Sequence, residues 1–380
     1  MSLARMAAIE APDRDSGSVL VEAGVVLARL HQGLAGSGLT FPLPLGAEGS
    51  TQIGGLAGTN AGGSHAFRYG MMQDLVLGLG GGSGRWLRLE RVAGRPEGQC
   101  GLSAAPPVLW VRRHFRRRHP CGSETGCRTR YRATALLSMT DLASTVCFET
   151  LLRSEAAELL EAAEFFSDIG ISFALRHIKG LSFPLATRSD SYLLLDLAAT
   201  SSLIPLDDIL SKLLERGIEE GLVLDGSIAA SLSQRAAFWR LREVQPEAQR
   251  LEGAQLKHDI AVPPGQIAAF VAQASALCEA ALPGIRVNPF GHLGDGNIHF
   301  NLSPVLGQTG FGGQDAAIGP AVAKLATDMG GSFAAEHGLG RSKVVLADAL
   351  RPESEHQIMR QIKMALDPDG RLNPGVILRD

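Results

Sequence analysis

Cysteine is scarce in this 380-residue chain: there are five, an odd number without regular spacing. That count excludes a disulfide framework and suits a reducing compartment. Long apolar runs are lacking too. None reaches the ~18 residues that a membrane-spanning helix needs. Met1 to Asp15 has no apolar signal core, so a cytoplasmic protein is expected. Neither sign of charge dominates: the net charge is −3, which calls for no polyanion partner such as nucleic acid. There is no internal repeat and no low-complexity linker. A hydrophobic content of 45% with 20% charged residues is that of an ordinary globular protein. The length predicts two domains, or one with a large insertion.

What is present is concentrated in two glycine-rich stretches. One is Gly-His-Leu-Gly-Asp-Gly-Asn-Ile-His-Phe-Asn, Gly291 to Asn301; the other is Ala-Glu-His-Gly-Leu-Gly, Ala335 to Gly340. His292, His299 and Glu336 are a mixture of nitrogen and oxygen ligands suited to a divalent metal with an open position. His337 is left as a candidate base. Asn-Ile-His-Phe-Asn reads as a strand, with Asn297, His299 and Asn301 on one side and Ile298 and Phe300 toward the core. Gly291, Gly294 and Gly296 permit a tight turn that returns His292 to the side of His299. Gly330 and Gly331 end a helical pattern, and a short extended run then delivers Glu336 and His337. The competing reading is two unrelated loops with surface histidines.

The N-terminal third carries a polar, glycine-rich tract. Val19 to Val21 reads as a strand, and Leu27, Leu30 and Leu34 share one face of a helix. Then come Gly54-Gly55, Thr59-Asn60-Ala61-Gly62-Gly63 and Tyr69-Gly70. Such a tract presents backbone N–H groups to a phosphate or a flat ring, or it is loop punctuation and nothing more.

Val-Glu-Ala-Gly-Val at Val21 to Val25, together with those glycine segments, resembles the FAD-binding domain of the vanillyl-alcohol oxidase superfamily. The two histidine motifs and the final Leu-Asn-Pro-Gly, Leu372 to Gly375, resemble its D-lactate and D-2-hydroxyglutarate dehydrogenase branch. The resemblance runs over residues 18–79 and 131–380. It implies an α+β protein: the remnant of a two-subdomain FAD-binding domain at 1–130, then an α+β cap at 131–380, with 367–380 returning to the flavin domain. It implies FAD held by Gly54, Gly55, Thr59, Asn60, Ala61, Gly62, Gly63, Tyr69, Gly70, Asn373 and Gly375. It implies zinc or manganese on His292, His299 and Glu336, with His337 as base. Arg242, Lys257 and Asn301 would then bind the substrate. The family usually has Ser or Thr four residues after that arginine. This chain has Pro246, so one hydrogen bond to the substrate is expected to be missing. The partners implied are a small 2-hydroxy acid and an unidentified electron acceptor, with a homodimer left open.

From Gly80 to Arg130 the chain changes character. The span has no Lys, Asp, Asn or Ile, yet holds three of the five cysteines and two of the three tryptophans. Arg112, Arg113, Arg116, Arg117 and Arg118 cluster among His114, His119, Cys121 and Cys127. Read literally, this is a nucleic-acid patch or zinc knuckle, but the spacing fits no standard ligand pattern. Codons written from Glu97 and read one base later give a different text. It includes Lys-Asp-Asn-Ala-Gly-Tyr and, over Leu109 to Arg113, Cys-Gly-Ser-Glu-Gly. Those strings resemble the family's missing flavin-contacting segment. A double frameshift is therefore expected, entering near Gly80 and leaving near Arg130, with poor packing of the printed segment. Met1 to Ser16 is also expected to be too short for the family's first strands and phosphate loop.

Further elements are expected as helices over Ser144 to Phe166, Pro205 to Glu220, Gly265 to Ala281 and Glu353 to Leu366. Strands are expected over Tyr192 to Ala198 and Gln255 to Val262. In the last helix Ile358, Ile362, Ala365 and Leu366 fall at amphipathic spacing. These readings combine into an FAD-dependent oxidation of a D-2-hydroxy acid. The alternatives are an inactive remnant that folds the cap and binds metal but not FAD, and a metal-dependent hydrolase.

Overall fold

The structure, a computed structural model, describes residues 3–82, 88–91, 112–116, 129, 131–371 and 373–379. The chain forms two compact units. Unit 1 comprises Met1–Arg128 and Glu336–Asp380; unit 2 is Thr129–Ala335.

Among the described residues, unit 1 carries strands β1 (Ser18–Glu22), β2 (Val76–Gly82), β3 (Arg88–Arg91) and β4 (Arg112–Arg116). They pair antiparallel in the order β1-β4-β2-β3. Helix α1 (Leu27–Leu34) buries Leu27, Leu30 and Leu34, spaced i, i+3, i+7, against Val19, Val21 and Val25. Each such side chain contributes about 1.5–3 kcal/mol by leaving water. Short helices α2 (Ile53–Gly58), α3 (Ala66–Tyr69) and α4 (Met72–Leu75) complete the glycine-rich part. Of the stretch expected to be out of frame, the backbone of β3 and β4 is paired. Cys100, Cys121, Cys127, Arg117, Arg118 and His119 lie outside the described residues.

Unit 2 is an antiparallel sheet flanked by helices. Its strands are β5 (Tyr131–Met139), β6 (Leu160–Ser167), β7 (Ser191–Ala199), β8 (Val223–Ile228), β9 (Leu256–Ala261), β10 (Arg286–His292) and β11 (Asn297–Ser303). Their order across the sheet is β8-β5-β7-β6-β10-β11-β9. The helices are α5 (Leu142–Ala156), α6 (Asp168–His177), α7 (Leu206–Glu219), α8 (Leu232–Glu243), α9 (Gln245–Leu251), α10 (Ile267–Ala281) and α11 (Asp315–Asp328). The mixed α and antiparallel β architecture is the α+β class expected. The central strands β6 and β7 are buried at every position, so both faces of the sheet are covered there. One face sets Leu193, Leu195 and Leu197 in its core. The other carries Tyr192, Leu194 and Asp196.

The second face holds acids that the fold must neutralise. Asp196 is fully buried and accepts hydrogen bonds from Arg235 Nη2 at 2.5 Å and Trp239 Nε1 at 3.2 Å, and from the Thr134 hydroxyl. Arg235, Trp239 and Arg242 are spaced i, i+4, i+7 on α8. One stripe of that helix therefore lies along the acids of the sheet.

One expected helix is wrong in its second half. Ser144 to Phe166 is not continuous: α5 ends at Ala156 and Leu160–Ser167 is strand β6. Leu-Glu-Ala-Ala-Glu-Phe-Phe-Ser has helix-favouring residues, but pairing with β7 and β10 overrides the local preference. In unit 1, helices α12 (Val344–Leu350) and α13 (Glu353–Leu366) follow Glu336. The bounds of α13 match the expectation, yet Ile358 and Ile362 are 58% and 53% exposed rather than core residues.

Two glycines explain how the hairpin turn and the run that starts at Gly331 both come close to β9. At Gly296, φ is +77°, and an added Cβ would stand 1.9 Å from the Val262 carbonyl oxygen. A Cβ at Gly331 would stand 2.1 Å from the Ala261 oxygen. Gly296→Ala is expected to destabilise unit 2 by about 2–5 kcal/mol, the sum of left-handed strain and overpacking. A lowered urea midpoint at unchanged m-value would show it; an unaltered midpoint would mean that the turn does not press on β9.

Candidate metal centre

Strands β10 and β11 form a hairpin in which Phe290 faces His299 and His292 faces Asn297. Alternation then puts Phe290, His292, Asn297, His299 and Asn301 on one side, with Ile298 and Phe300 fully buried on the other. The His292 and His299 rings lie 5.8 Å apart at 79°, and Phe290 packs 5.0 Å from the His299 ring. Ser332 pairs with Ala261 at the end of β9, and Ala335 N–H donates to the Asp259 carbonyl at 3.3 Å. Glu336 is the covalent neighbour of Ala335, so this edge pairing delivers its carboxylate. One ligand atom from each of His292, His299 and Glu336 lies within 4.8 Å of the others. Two ligands at ~2 Å from one ion stand at most about 4 Å apart, so a small side-chain adjustment closes the set. Two imidazoles and a carboxylate fit zinc or manganese by donor chemistry.

Behind His292 stands Glu164, which the sequence reading missed because it placed this residue on a helix. Cross-strand register pairs Glu164 of β6 with His292 of β10. Glu164 Oε1 lies 2.6 Å from His292 Nδ1, and Oε2 lies 2.9 Å from Arg242 Nη2. Burial on its own would raise the Glu164 carboxyl. The His292 and Arg242 charges outweigh it and hold the group below the usual range. Arg242 is itself buried, with its guanidinium 4.8 Å from the Phe290 ring centroid. Its Nε is buried without a hydrogen-bond partner among the described residues. Behind His299, Asp259 Oδ1 is 4.0 Å from Nδ1 and accepts from Asn297 Nδ2 at 3.1 Å.

The other expected site residues divide. Lys257 is exposed and pairs in register with Asn301, two residues along each strand from Asp259 and His299. Lys257, Asn301 and the two histidines therefore share one face. Asn301 is buried. His337 is exposed and stands outside the three-ligand group. Its loop has positive φ at Gly338 and Gly340, and Gly340 accepts from Ile377 N–H at 3.1 Å. Asn373 and Gly375 also have positive φ.

In the glycine tract, the chain's own packing explains most of the glycines. An added Cβ would meet Ala23 at 2.8 Å from Gly54, Met71 at 2.6 Å from Gly62 and Pro44 at 2.4 Å from Gly63. Gly70 has φ +80°, Ala61 and Tyr69 are buried, and Thr59 bonds back to the Gly55 carbonyl at 3.1 Å. Asn60, at φ 50°, accepts from Gln73 N–H at 2.8 Å. Gly55 differs: a Cβ there would meet nothing within 4 Å among the described residues. Such an exposed glycine leaves its backbone open to the close approach that a dinucleotide's phosphates need.

Comparison with known proteins gives a consistent result. The sequence pattern described as FAD linked oxidases, C-terminal domain, matches residues 128–377, and an FAD binding domain matches residues 1–80. The chain is 31% identical over 379 residues to the mitochondrial D-2-hydroxyglutarate dehydrogenase of Arabidopsis thaliana, covering 96% of this chain and 64% of that protein. It is 33% identical over 374 residues to the D-2-hydroxyglutarate dehydrogenase of Xanthomonas citri pv. viticola, covering 94% and 75%. It thus spans just under two thirds of the plant relative's length. A 4-ethylphenol oxidase from Gulosibacter chungangensis shares the fold with TM-score 0.69 at 14% identity, covering 98% of this chain and 78% of that one. An alkyldihydroxyacetonephosphate synthase does so with TM-score 0.67 at 12% identity, covering 97% and 66%.

Proposed function

The chain belongs to the FAD-linked oxidases, and from that premise we propose that it oxidises a D-2-hydroxy acid of the D-lactate or D-2-hydroxyglutarate type to the 2-oxo acid, with metal assistance. The observation that carries this reading is the His292, His299 and Glu336 cluster, whose two histidines share a sheet face with Lys257 and Asn301. When bound, FAD takes up hydride and a divalent ion lowers the pKa of the substrate hydroxyl. The residues of the chain do the rest. His292, His299 and Glu336 hold the ion. His337 takes the hydroxyl proton, a role its exposure and its place beside Glu336 support. Lys257 attracts the carboxylate, Arg242 adds a second positive charge, and Asn301 supplies an amide for orientation. Gly54, Gly55, the Thr59–Gly63 turn, Tyr69 and Gly70 hold the flavin, with Asn373 and Gly375.

A specific observation favours a second reading, in which the cap folds and binds metal but no flavin. The two matched regions stop at residue 80 and resume at 128, the limits at which the sequence text changes character. One experiment separates the two. Anaerobic addition of D-2-hydroxyglutarate or D-lactate to the FAD-supplemented chain should bleach the flavin absorbance, and the L-enantiomers should not. Metal bound with no FAD retained after gel filtration, and no bleaching by either acid, would favour the second reading.

A further inference from the structure

We propose that Glu164 is a positioning residue, which fixes His292 as a metal ligand through one carboxylate oxygen and ties that ligand to Arg242 through the other. This rests on the reading of His292 as a ligand. The geometry behind it is simple. Antiparallel register places Glu164 directly across from His292, and Glu164 is 1% exposed. A buried carboxylate beside an arginine is ordinarily met by two parallel N–H bonds. Here the guanidinium reaches Oε2 at 2.9 Å, and Oε1 is given to His292 Nδ1 at 2.6 Å. Stability alone does not call for that division, since buried ion pairs are often replaceable by apolar residues without loss.

The division has a chemical consequence. An anionic acceptor at Nδ1 keeps the proton on that nitrogen, so the lone pair stays on Nε2. Nε2 is then the atom available for a ligand bond, and the ring cannot rotate. The same carboxylate holds Arg242 over Phe290, whose ring also packs on His299. One side chain therefore sets the orientation of a metal ligand and of the guanidinium assigned to substrate.

Glu164→Gln is the informative change. Glu164 faces His292 Nδ1 through Oε1 and is ion-paired with the Arg242 guanidinium through Oε2, and a carboxylate suits both. A glutamine accepts from one and must donate to the other. If its oxygen stays with Arg242, its NH2 group meets His292 Nδ1, which must then accept. The proton moves to Nε2 and the ligating lone pair is lost.

The test uses the full chain, stripped of metal and titrated with zinc alone. Nitrogen NMR of labelled histidine, assigned with His292→Asn, reads the tautomer. Glu164→Gln should bind zinc about 10–100-fold more weakly than the wild type, the usual cost of losing such a partner. Its His292 should carry the proton on Nε2, and Glu164→Asp should recover part of the affinity. The wild type should show His292 protonated on Nδ1. Unchanged zinc affinity in Glu164→Gln, or a wild-type His292 protonated on Nε2, would overturn the proposal. If Glu164→Gln does not fold, the wild-type tautomer still decides. If the wild type takes up no zinc, the metal reading fails while the tautomer separately tests Glu164.

Discussion

His299→Ala should abolish tight binding of a divalent metal, and with it turnover of the hydroxy acid, while the chain stays folded. His299 sits in β11 between β10 and β9, so neighbours on both sides hold its backbone whatever its side chain. Its side chain is 16% exposed and packs on Phe290, so truncation removes little core. In the proposed function it is nonetheless one of three ligands. Loss of a supporting partner costs about 10–100-fold in metal affinity, so loss of a direct ligand should cost at least about 100-fold. Metal analysis after gel filtration and a thermal melt, done together, check this. Retained metal with an unchanged melt would remove His299 from the ligand set. A collapsed melt would show that the residue serves the fold.

The second large effect concerns the flavin. Rewriting the gene so that codons 80–130 are read one base later should turn a chain that holds FAD weakly into one that purifies yellow. The restored Cys-Gly-Ser-Glu-Gly segment would supply backbone and side-chain donors to an anionic cofactor. Each charge-assisted bond contributes about 1.5–3 kcal/mol. Two of them correspond to at least about a hundredfold in affinity. FAD titration of both chains, followed by flavin fluorescence, measures the difference. Equal affinity would show that the printed stretch serves as well as the rewritten one, and the frameshift reading would fall.

The parts of this protein that were legible from sequence share a physical reason. The hairpin and the Glu336 segment announced themselves through glycines, because the close contacts of Gly296 with Val262 and of Gly331 with Ala261 exclude any side chain. Alternation placed Ile298 and Phe300 in the core and His299 opposite, since a strand permits no other assignment. The spacing of Leu27, Leu30 and Leu34 likewise fixed the buried face of α1.

What was hidden lay where tertiary contacts decide. The run from Leu160 has helix-favouring alanines and glutamates, and only its pairing between β7 and β10 makes it a strand. Reading it as a helix gave Glu164 no place on the sheet beside His292. Arg242 was legible as a cation but not as half of a buried ion pair, because its partner lies 78 positions earlier in the sequence, at Glu164. Asp259 escaped for the same reason: its place beside His299 depends on the register of β9 against β11. The periodicity of Ile358 and Ile362 gave the bounds of α13 but not its environment, for a stripe of apolar residues does not say what covers it.

X-ray absorption at the metal edge of the purified, zinc-loaded chain should find one ion per chain, with a first shell of two imidazole nitrogens and carboxylate oxygen at about 2.0–2.2 Å. A stoichiometry near zero, or a shell of cysteine sulfur or of water oxygens without imidazole, would contradict it.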